Sequence, residues 1–492
     1  VVTQLDDLFL GIDLGTSGLK AVAVDASDRL VAQATAPLAI RRPQPGWSEQ
    51  APEDWWQATV RAVTTLPAEA RRAVRAVGLS GQMHGAVLLD AAGRPLRPAI
   101  LWNDGRSARQ CAELERREPL SRTITGNLAM PGFTAPKLLW VREHEPEIFG
   151  CIAHVLLPKD YLRLRLTGEH LSDMSDAAGT LWLDVARREW SEPMLAATGL
   201  TRAHMPGLVE GSAPAGRLRP DVARQLGLEP VVVAGGGGDN AASAVGCGVV
   251  APGQALLSLG TSGVLFVVTD RFRPNPERAA HAFCHALPEL WHQMSVMLSA
   301  ASTLDWVARL AGFTDVPAAA AAAEQRGLRH DTPLFLPYLS GERTPHNDAD
   351  ARGVFFRLQA ETGAADLVVA VLEGVAHGMR DGMDALTAAG GRIEDIDVVG
   401  GGARLPWWQQ LLAAALERRL VLRAGGDVGA ALGAARLARL ATGGDARAVC
   451  TAPPVQRIFE PDPALSERLR QRRPAYAAVY RQLKNTFKEF PA

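Results

Sequence analysis

Phe9-Leu-Gly-Ile-Asp-Leu-Gly-Thr-Ser-Gly18 and Leu256-Leu-Ser-Leu-Gly-Thr-Ser-Gly263 share the pentapeptide Leu-Gly-Thr-Ser-Gly, and Gly260 follows Gly15 by 245 positions, half of the 492-residue chain. Each copy lies between two apolar runs of strand length, so each reads as a hairpin with glycine at the tight positions and hydroxyls near the turn. Two such hairpins, one per half, predict a duplicated fold that closes around a phosphate-bearing ligand.

The copies differ at one position. Asp13 precedes the first pentapeptide, whereas Ser258 holds the equivalent place in the second. A carboxylate beside phosphates repels them unless a cation intervenes. Asp13 is therefore expected to hold hydrated Mg²⁺, which favours oxygen ligands and retains waters when shared with a nucleotide.

Around the hairpins the pattern alternates. Strands are expected near 9–14, 19–24, 76–79 and 87–89, separated by helices at 52–66 and 106–118; strands at 254–259, 264–268 and 396–399 then interleave with helices at 302–311, 366–389 and 406–416. Pro52 opens its helix at a favoured first-turn position, with Glu53 and Asp54 where the helix dipole accepts negative charge. The fold class is α/β, with one domain over 1–245 and a second over 246–492.

Composition excludes several partners. With 47% hydrophobic and 21% charged residues the chain is of ordinary globular type, and a net charge of −1 supplies no basic footprint for nucleic acid or an anionic membrane. The start lacks a basic region followed by an apolar core, so a cytoplasmic location is expected. Residues 240–269 carry no charge, yet they contain five glycines and a proline and read as buried strands and turns, not a membrane span. Five scattered cysteines fit free thiols in a reducing compartment. In His281-Ala-Phe-Cys-His285 the three donors cannot share one face of a strand, so packing and local hydrogen bonding is the reading there in preference to zinc.

Two glycine-rich junctions stand near the expected cleft. Val231-Val-Val-Ala-Gly-Gly-Gly-Gly-Asp-Asn240 runs from an apolar strand through four glycines to an unobstructed acid, which places Asp239 as a candidate general base. In Val398-Val-Gly-Gly-Gly-Ala-Arg-Leu-Pro406 the missing side chains leave backbone on which a flat ring or a phosphate can lie. A Walker-type phosphate loop is absent from the sequence.

The Asp-x-Gly-Thr-Ser of 13–17, its counterpart at 260–262 and Gly401-Gly402-Ala403 resemble the phosphate and adenosine motifs of the actin, hexokinase and chaperone ATPase superfamily. Within it, the chain is similar over essentially its whole length to the FGGY carbohydrate kinases. The segments that carry this resemblance are Leu79-Ser-Gly-Gln-Met-His-Gly85, Leu101-Trp-Asn-Asp104, Gly132-Phe-Thr-Ala-Pro-Lys-Leu-Leu-Trp140, Leu157-Pro-Lys-Asp-Tyr-Leu162, Gly238-Asp-Asn-Ala-Ala242 and Tyr338-Leu-Ser-Gly-Glu-Arg-Thr-Pro-His346.

The resemblance implies two actin-like (ribonuclease H-like) domains with the active site in the cleft between them. It makes Asp239 the catalytic base and places Met83, His84, Trp102, Asn103 and Asn240 at the sugar. Gly15, Thr16, Ser17 and Lys20 match the first phosphate loop, Gly260, Thr261 and Ser262 the second, and Gly401, Gly402 and Ala403 the adenosine contact. Glycerol-specific members carry an Arg-Glu pair where this chain has Met83-His84, which favours a ketopentose. The expected reaction is ATP- and Mg²⁺-dependent phosphorylation of D-xylulose at the carbon-5 hydroxyl, by an enzyme that pairs as a homodimer. A different ketose or polyol, or an actin-like ATPase that transfers nothing to sugar, remains open. In Gly353-Val-Phe-Phe-Arg-Leu358 the chain departs from the family, with Arg357 where glycine is usual.

Overall fold

The computed structural model describes residues 7–425 and 429–489. In the first half the strands β1 (Leu8–Leu14), β2 (Gly18–Val24), β3 (Leu30–Pro37), β4 (Val74–Gly81), β5 (Pro214–Arg217), β6 (Val232–Ala234) and the short β7 (Gly237–Gly238) form one sheet. Its order is β5-β6-β4-β1-β2-β3, with β7 also on β4. In the second half β8 (Ala255–Leu259), β9 (Gly263–Thr269), β10 (His281–Cys284), β11 (Trp291–Met297), β12 (Ile396–Val399), β13 (Leu420–Arg423) and β14 (Val455–Phe459) form the other, in the order β10-β11-β9-β8-β12-β13-β14.

The two sheets repeat one plan. In each, a hairpin carries the Gly-Thr-Ser turn, its second strand continues antiparallel to a further strand, and its first strand runs parallel to a later one, β4 beside β1 and β12 beside β8. This duplicated mixed α/β architecture is that of the actin-like kinases expected above. Parallel pairing brings the ends of β1 and β4, and of β8 and β12, to the same edge of each sheet. Both turn loops therefore emerge where a ligand can sit between the halves.

The helices fill the faces. Among them α1 (Pro52–Thr65) buries Trp55 and Trp56, and α2 (Ala364–Ala388) runs through the core of the second half. One corrected segment is 240–269: its first eight residues are not strand and turn but all except the first residue of a helix, α3 (Asp239–Cys247), and β8 and β9 lie in the remainder. Small uncharged residues permit either reading when no periodicity is visible.

A second departure is the place of α4 (Gly429–Ala441). Although it belongs to the second half in sequence, it lies across β1 and β4 of the first sheet and against α3. The approach is backbone to backbone: a Cβ on Gly11 would fall 1.9 Å from the Ala431 carbonyl oxygen, and one on Gly433 would fall 1.7 Å from that of Ala242. No side chain fits at either point.

Arg357 follows the strand Val354–Phe356, which pairs with Leu334–Leu336, and adopts φ +66°. The left-handed turn that glycine would supply is thus kept, with an exposed arginine held in it. Arg357→Gly is expected to raise stability by about 0.5–1 kcal/mol, the relieved strain being partly offset by glycine's greater chain entropy. Urea denaturation would show it as a higher midpoint at unchanged slope.

Candidate active site

The four glycines before Asp239 thread a narrow passage. Gly236 sits at φ +79°, and a Cβ there would lie 2.2 Å from the Leu79 carbonyl oxygen; one on Gly238 would lie 2.8 Å from Met83 Cγ. This lets β7 pair with β4 and delivers Asp239 at the first turn of α3. Asn240 donates its backbone N–H and its Nδ2 to Asp239 Oδ1 at 2.8 and 2.9 Å.

A buried ionic cluster holds the glycine segment from behind. Gly238 N–H donates to Ser175 Oγ at 3.1 Å, and the Ser175 hydroxyl donates to Asp173. Lys159 Nζ is 2.6 Å from Asp173 and from Asp160, while Arg163 donates to the Gly235 carbonyl. Three carboxylates, Asp160, Asp173 and Asp176, crowd together here, and burial pushes the Asp176 carboxyl well above its usual range despite Lys159. The ammonium occupies the place a metal would take, so the cluster serves as a fixed mount for Asp239.

Burial deep in the cleft pushes the Asp239 carboxyl up to about 7, the negative charge of Asp13 pushes the same way, and the Asn240 bonds oppose both. A base poised near neutral pH is suited to accepting a hydroxyl proton. Asp13 lies in β1, opposite Lys20 of β2 and beside Ser80 of β4. Burial raises its carboxyl too, with Ser80 and Lys20 drawing it back. Among the described residues its Oδ1 is buried without a hydrogen-bond partner. An unsatisfied carboxylate oxygen beside a phosphate-type loop fits a hydrated divalent cation.

The cavity beside Asp239 has a volume of about 270 Å³ and is lined by Met83, His84, Trp102 and Asn240 among the expected residues. His84 holds φ +69° and its Nδ1 is 2.6 Å from the Gly179 carbonyl, which makes Nδ1 the donor and leaves Nε2 an acceptor. Burial pulls this imidazole down to about 3, so it is neutral. A Cβ on Gly179 would meet the ring at 2.7 Å. Lys137 Nζ fixes the loop by donating to the carbonyls of His84 and Gly132, each at 2.8 Å.

Trp102 joins this wall to the first phosphate loop. Its Nε1–H donates to Thr16 Oγ1 at 3.0 Å, and Thr16 in turn donates to Gln82 Oε1 at 3.0 Å. Asn103, by contrast, is exposed and does not line the cavity. Phe133, His281, Phe283 and Arg343 also line it, although sequence reading assigned Phe133 and Arg343 no individual role and His281 and Phe283 only packing and local hydrogen bonding. On β10, His281 and Phe283 face the cavity and stack at 12° between ring planes, whereas Cys284 donates to the Val185 carbonyl. The alternation of a strand was the available signal for this split.

In the second loop, Ala300, Ala301 and the Ser302 hydroxyl donate to the carbonyls of Thr261, Gly260 and Thr261, each at 2.9 Å, which pins the loop to the helix Ser302–Leu310. Gly401 opens the short 3₁₀ turn Gly401–Arg404, and a Cβ there would meet nothing within 4 Å. Gly402 instead packs on the Trp408 ring, and Ala403 is buried. Bare backbone at Gly401 therefore faces open space near the end of β12.

The N-terminal domain model of the FGGY family of carbohydrate kinases matches residues 8–246, and the C-terminal domain model matches 255–442. The chain belongs to this family. It is 55% identical to the xylulose kinase of Escherichia coli (strain K12) over 97% of this chain and 99% of that protein. Identity to the xylulose kinase of Bacillus subtilis (strain 168) is 37%, over 88% of each. Among solved structures, a xyloylose kinase from Brucella ovis superposes with a TM-score of 0.93 at 51% identity, covering 97% of this chain and 100% of that one. Plasmodium falciparum glycerol kinase with ADP has the same fold, with a TM-score of 0.88 at 20% identity, covering 97% of this chain and 98% of that one. As an FGGY carbohydrate kinase the protein is a phosphotransferase that takes ATP as donor.

Proposed function

We infer that the enzyme phosphorylates D-xylulose to D-xylulose 5-phosphate with Mg-ATP, in the cytoplasm, where its five free cysteines fit the reducing conditions. The observation that carries the chemistry is the acid near neutrality, Asp239, opening onto a sugar-sized cavity beside two Gly-Thr-Ser loops. The choice of sugar rests on Met83-His84 in the wall and on relatives that are xylulose kinases.

In this reading Asp239 accepts the carbon-5 hydroxyl proton as the oxygen attacks the γ-phosphorus, and the bond from that phosphorus to the β–γ bridging oxygen breaks with ADP as the leaving group. Asn240 holds the carboxylate at the angle needed, and the Lys159 cluster prevents it from drifting. Asp13 would hold Mg²⁺, which when bound would supply charge neutralisation for phosphoryl transfer. Gly15, Thr16, Ser17 and Lys20 take one side of the phosphates, Gly260, Thr261 and Ser262 the other, and Gly401, Gly402 and Ala403 the adenosine. The Trp102–Thr16 bond ties sugar wall and phosphate loop together, so that closure over one substrate organises the other.

The test is ADP release with Mg-ATP and, separately, D-xylulose, D-ribulose, L-xylulose, glycerol or no sugar. Fastest turnover with D-xylulose is expected. Another leading sugar would reassign the cavity, and equal ADP release without sugar would remove sugar transfer altogether.

A further inference from the structure

Arg343 stands in the cavity wall in an unusual condition. Buried arginines elsewhere in the chain are paired: Arg106 bonds Glu49 and Asp104, Arg163 bonds Asp160, Arg436 bonds Asp28 and Arg472 bonds Glu373. The Arg343 guanidinium lies on the cavity surface, the charge of Glu342, its neighbour in sequence, acts on it, and among the described residues it makes no ion pair. Glu342 does not cap it; its Oε1 instead accepts the backbone N–H of Arg343 at 2.7 Å and that of Leu298 at 3.2 Å. Thr344 anchors the other side, donating its hydroxyl to the Ala279 carbonyl at 2.8 Å and its N–H to that of Val296 at 3.1 Å. The backbone is thus clamped while a side chain with five N–H donors lines the cavity.

The position within the cavity is also defined. Through Thr344 the Arg343 segment is tied to Ala279, two residues before His281, and to Val296 of β11, both in the second half, whereas Asp239 opens α3 on the first-half side of the cavity. Arg343 therefore marks the end remote from the base. A ketose whose carbon-5 hydroxyl meets Asp239 puts its carbon-2 carbonyl and carbon-1 hydroxyl there. The carbonyl oxygen only accepts, which suits a guanidinium that only donates, and the hydroxyl can donate to the acceptor Nε2 of His84.

We propose that Arg343 binds the ketose carbonyl and is the residue that selects a 2-keto sugar over the corresponding alditol. This rests on the D-xylulose reading above. Buried donors left without an acceptor penalise a substrate that lacks the matching oxygen geometry. In an alditol carbon 2 is tetrahedral, so its hydroxyl oxygen, which still accepts, lies off the carbonyl's direction and must turn its proton away from the fork.

Steady-state kinetics on D-xylulose and on its two reduction products, xylitol and D-arabinitol, test the assignment in wild type, Arg343→Met and Arg343→Lys. Arg343→Met is expected to lower kcat/KM for D-xylulose by about 10- to 100-fold, chiefly through KM, while the alditol values change less than about twofold. The ketose preference then collapses. Arg343→Lys, with a cationic donor group restored on a side chain of similar length, should recover part of the D-xylulose rate and serves as the test if the Met variant does not fold. An equal loss on ketose and alditols, or an unchanged ketose preference, overturns the proposal. Failure of wild type to phosphorylate any ketose would instead overturn the underlying substrate reading.

Discussion

Asp239→Asn lowers kcat for sugar phosphorylation by about 10² to 10⁴, the range a positioned general base supplies, with little change in sugar affinity. Asparagine keeps the shape and the place on the Lys159 mount but cannot accept the proton. For the wild type, kcat/KM falls tenfold per pH unit below about 7, because the free enzyme must first lose the proton that burial and Asp13 retain on Asp239. A pH profile flat from 5 to 8, or a variant with more than a tenth of wild-type kcat, would remove Asp239 from the role of base.

The same carboxyl links pH to stability. Its folded-state value of about 7 stands above the ordinary 3.8, so the unfolded chain sheds this proton first and stability declines as pH rises between those values. In the absence of substrates and metal, Asp239→Asn should melt at a higher temperature than wild type above pH 7 and lose that advantage below about pH 4. Thermal scans at the two pH extremes measure the difference. Gained stability with lost activity is the signature of a site whose strain is functional.

Asp13→Asn is the second large effect. It removes the unsatisfied Oδ1 charge proposed to hold Mg²⁺, and an expected loss of about 10²- to 10³-fold in kcat reflects the several kcal/mol that a metal contributes to phosphoryl transfer. Half-saturation by Mg²⁺ should move upward. Sugar binding measured without nucleotide or metal should stay the same, since Asp13 faces the phosphate side. Loss of a like charge also lowers the acid limb assigned to Asp239, so the pH profile of this variant shifts toward lower pH. Wild-type activity at unchanged Mg²⁺ demand would argue against any metal at this carboxylate.

Much of this architecture was legible before any coordinates. Strand Ile396–Val399 and helix Pro406–Leu416 match their expected bounds, because Gly400 and Pro406 punctuate the chain there. The hairpins were equally plain, since the repeated glycines fix turn and register together. What escaped were β10 and β11, whose histidines and glutamine interrupt the apolar pattern although these polar residues are buried. At the site, the acids and the Met83-His84 pair stood in recognisable local settings. Arg343 did not, because a guanidinium's state depends on which acids fold beside it, and those are set by distant sequence. Asn103 shows the converse: adjacency to Trp102 in sequence did not carry it into the cavity.

The crossing of α4 beneath the first sheet has a consequence for how the chain comes apart. Gly11, Gly78, Gly246 and Gly433 admit this helix so closely that the back layer of the N-terminal half is contributed by residues some 400 positions downstream of β1. A fragment ending near residue 245 would leave that surface of β1 and β4 uncovered, and a nascent chain must hold it open until synthesis reaches Ala441. The two halves, similar as their sheets are, are therefore expected to unfold as one cooperative unit.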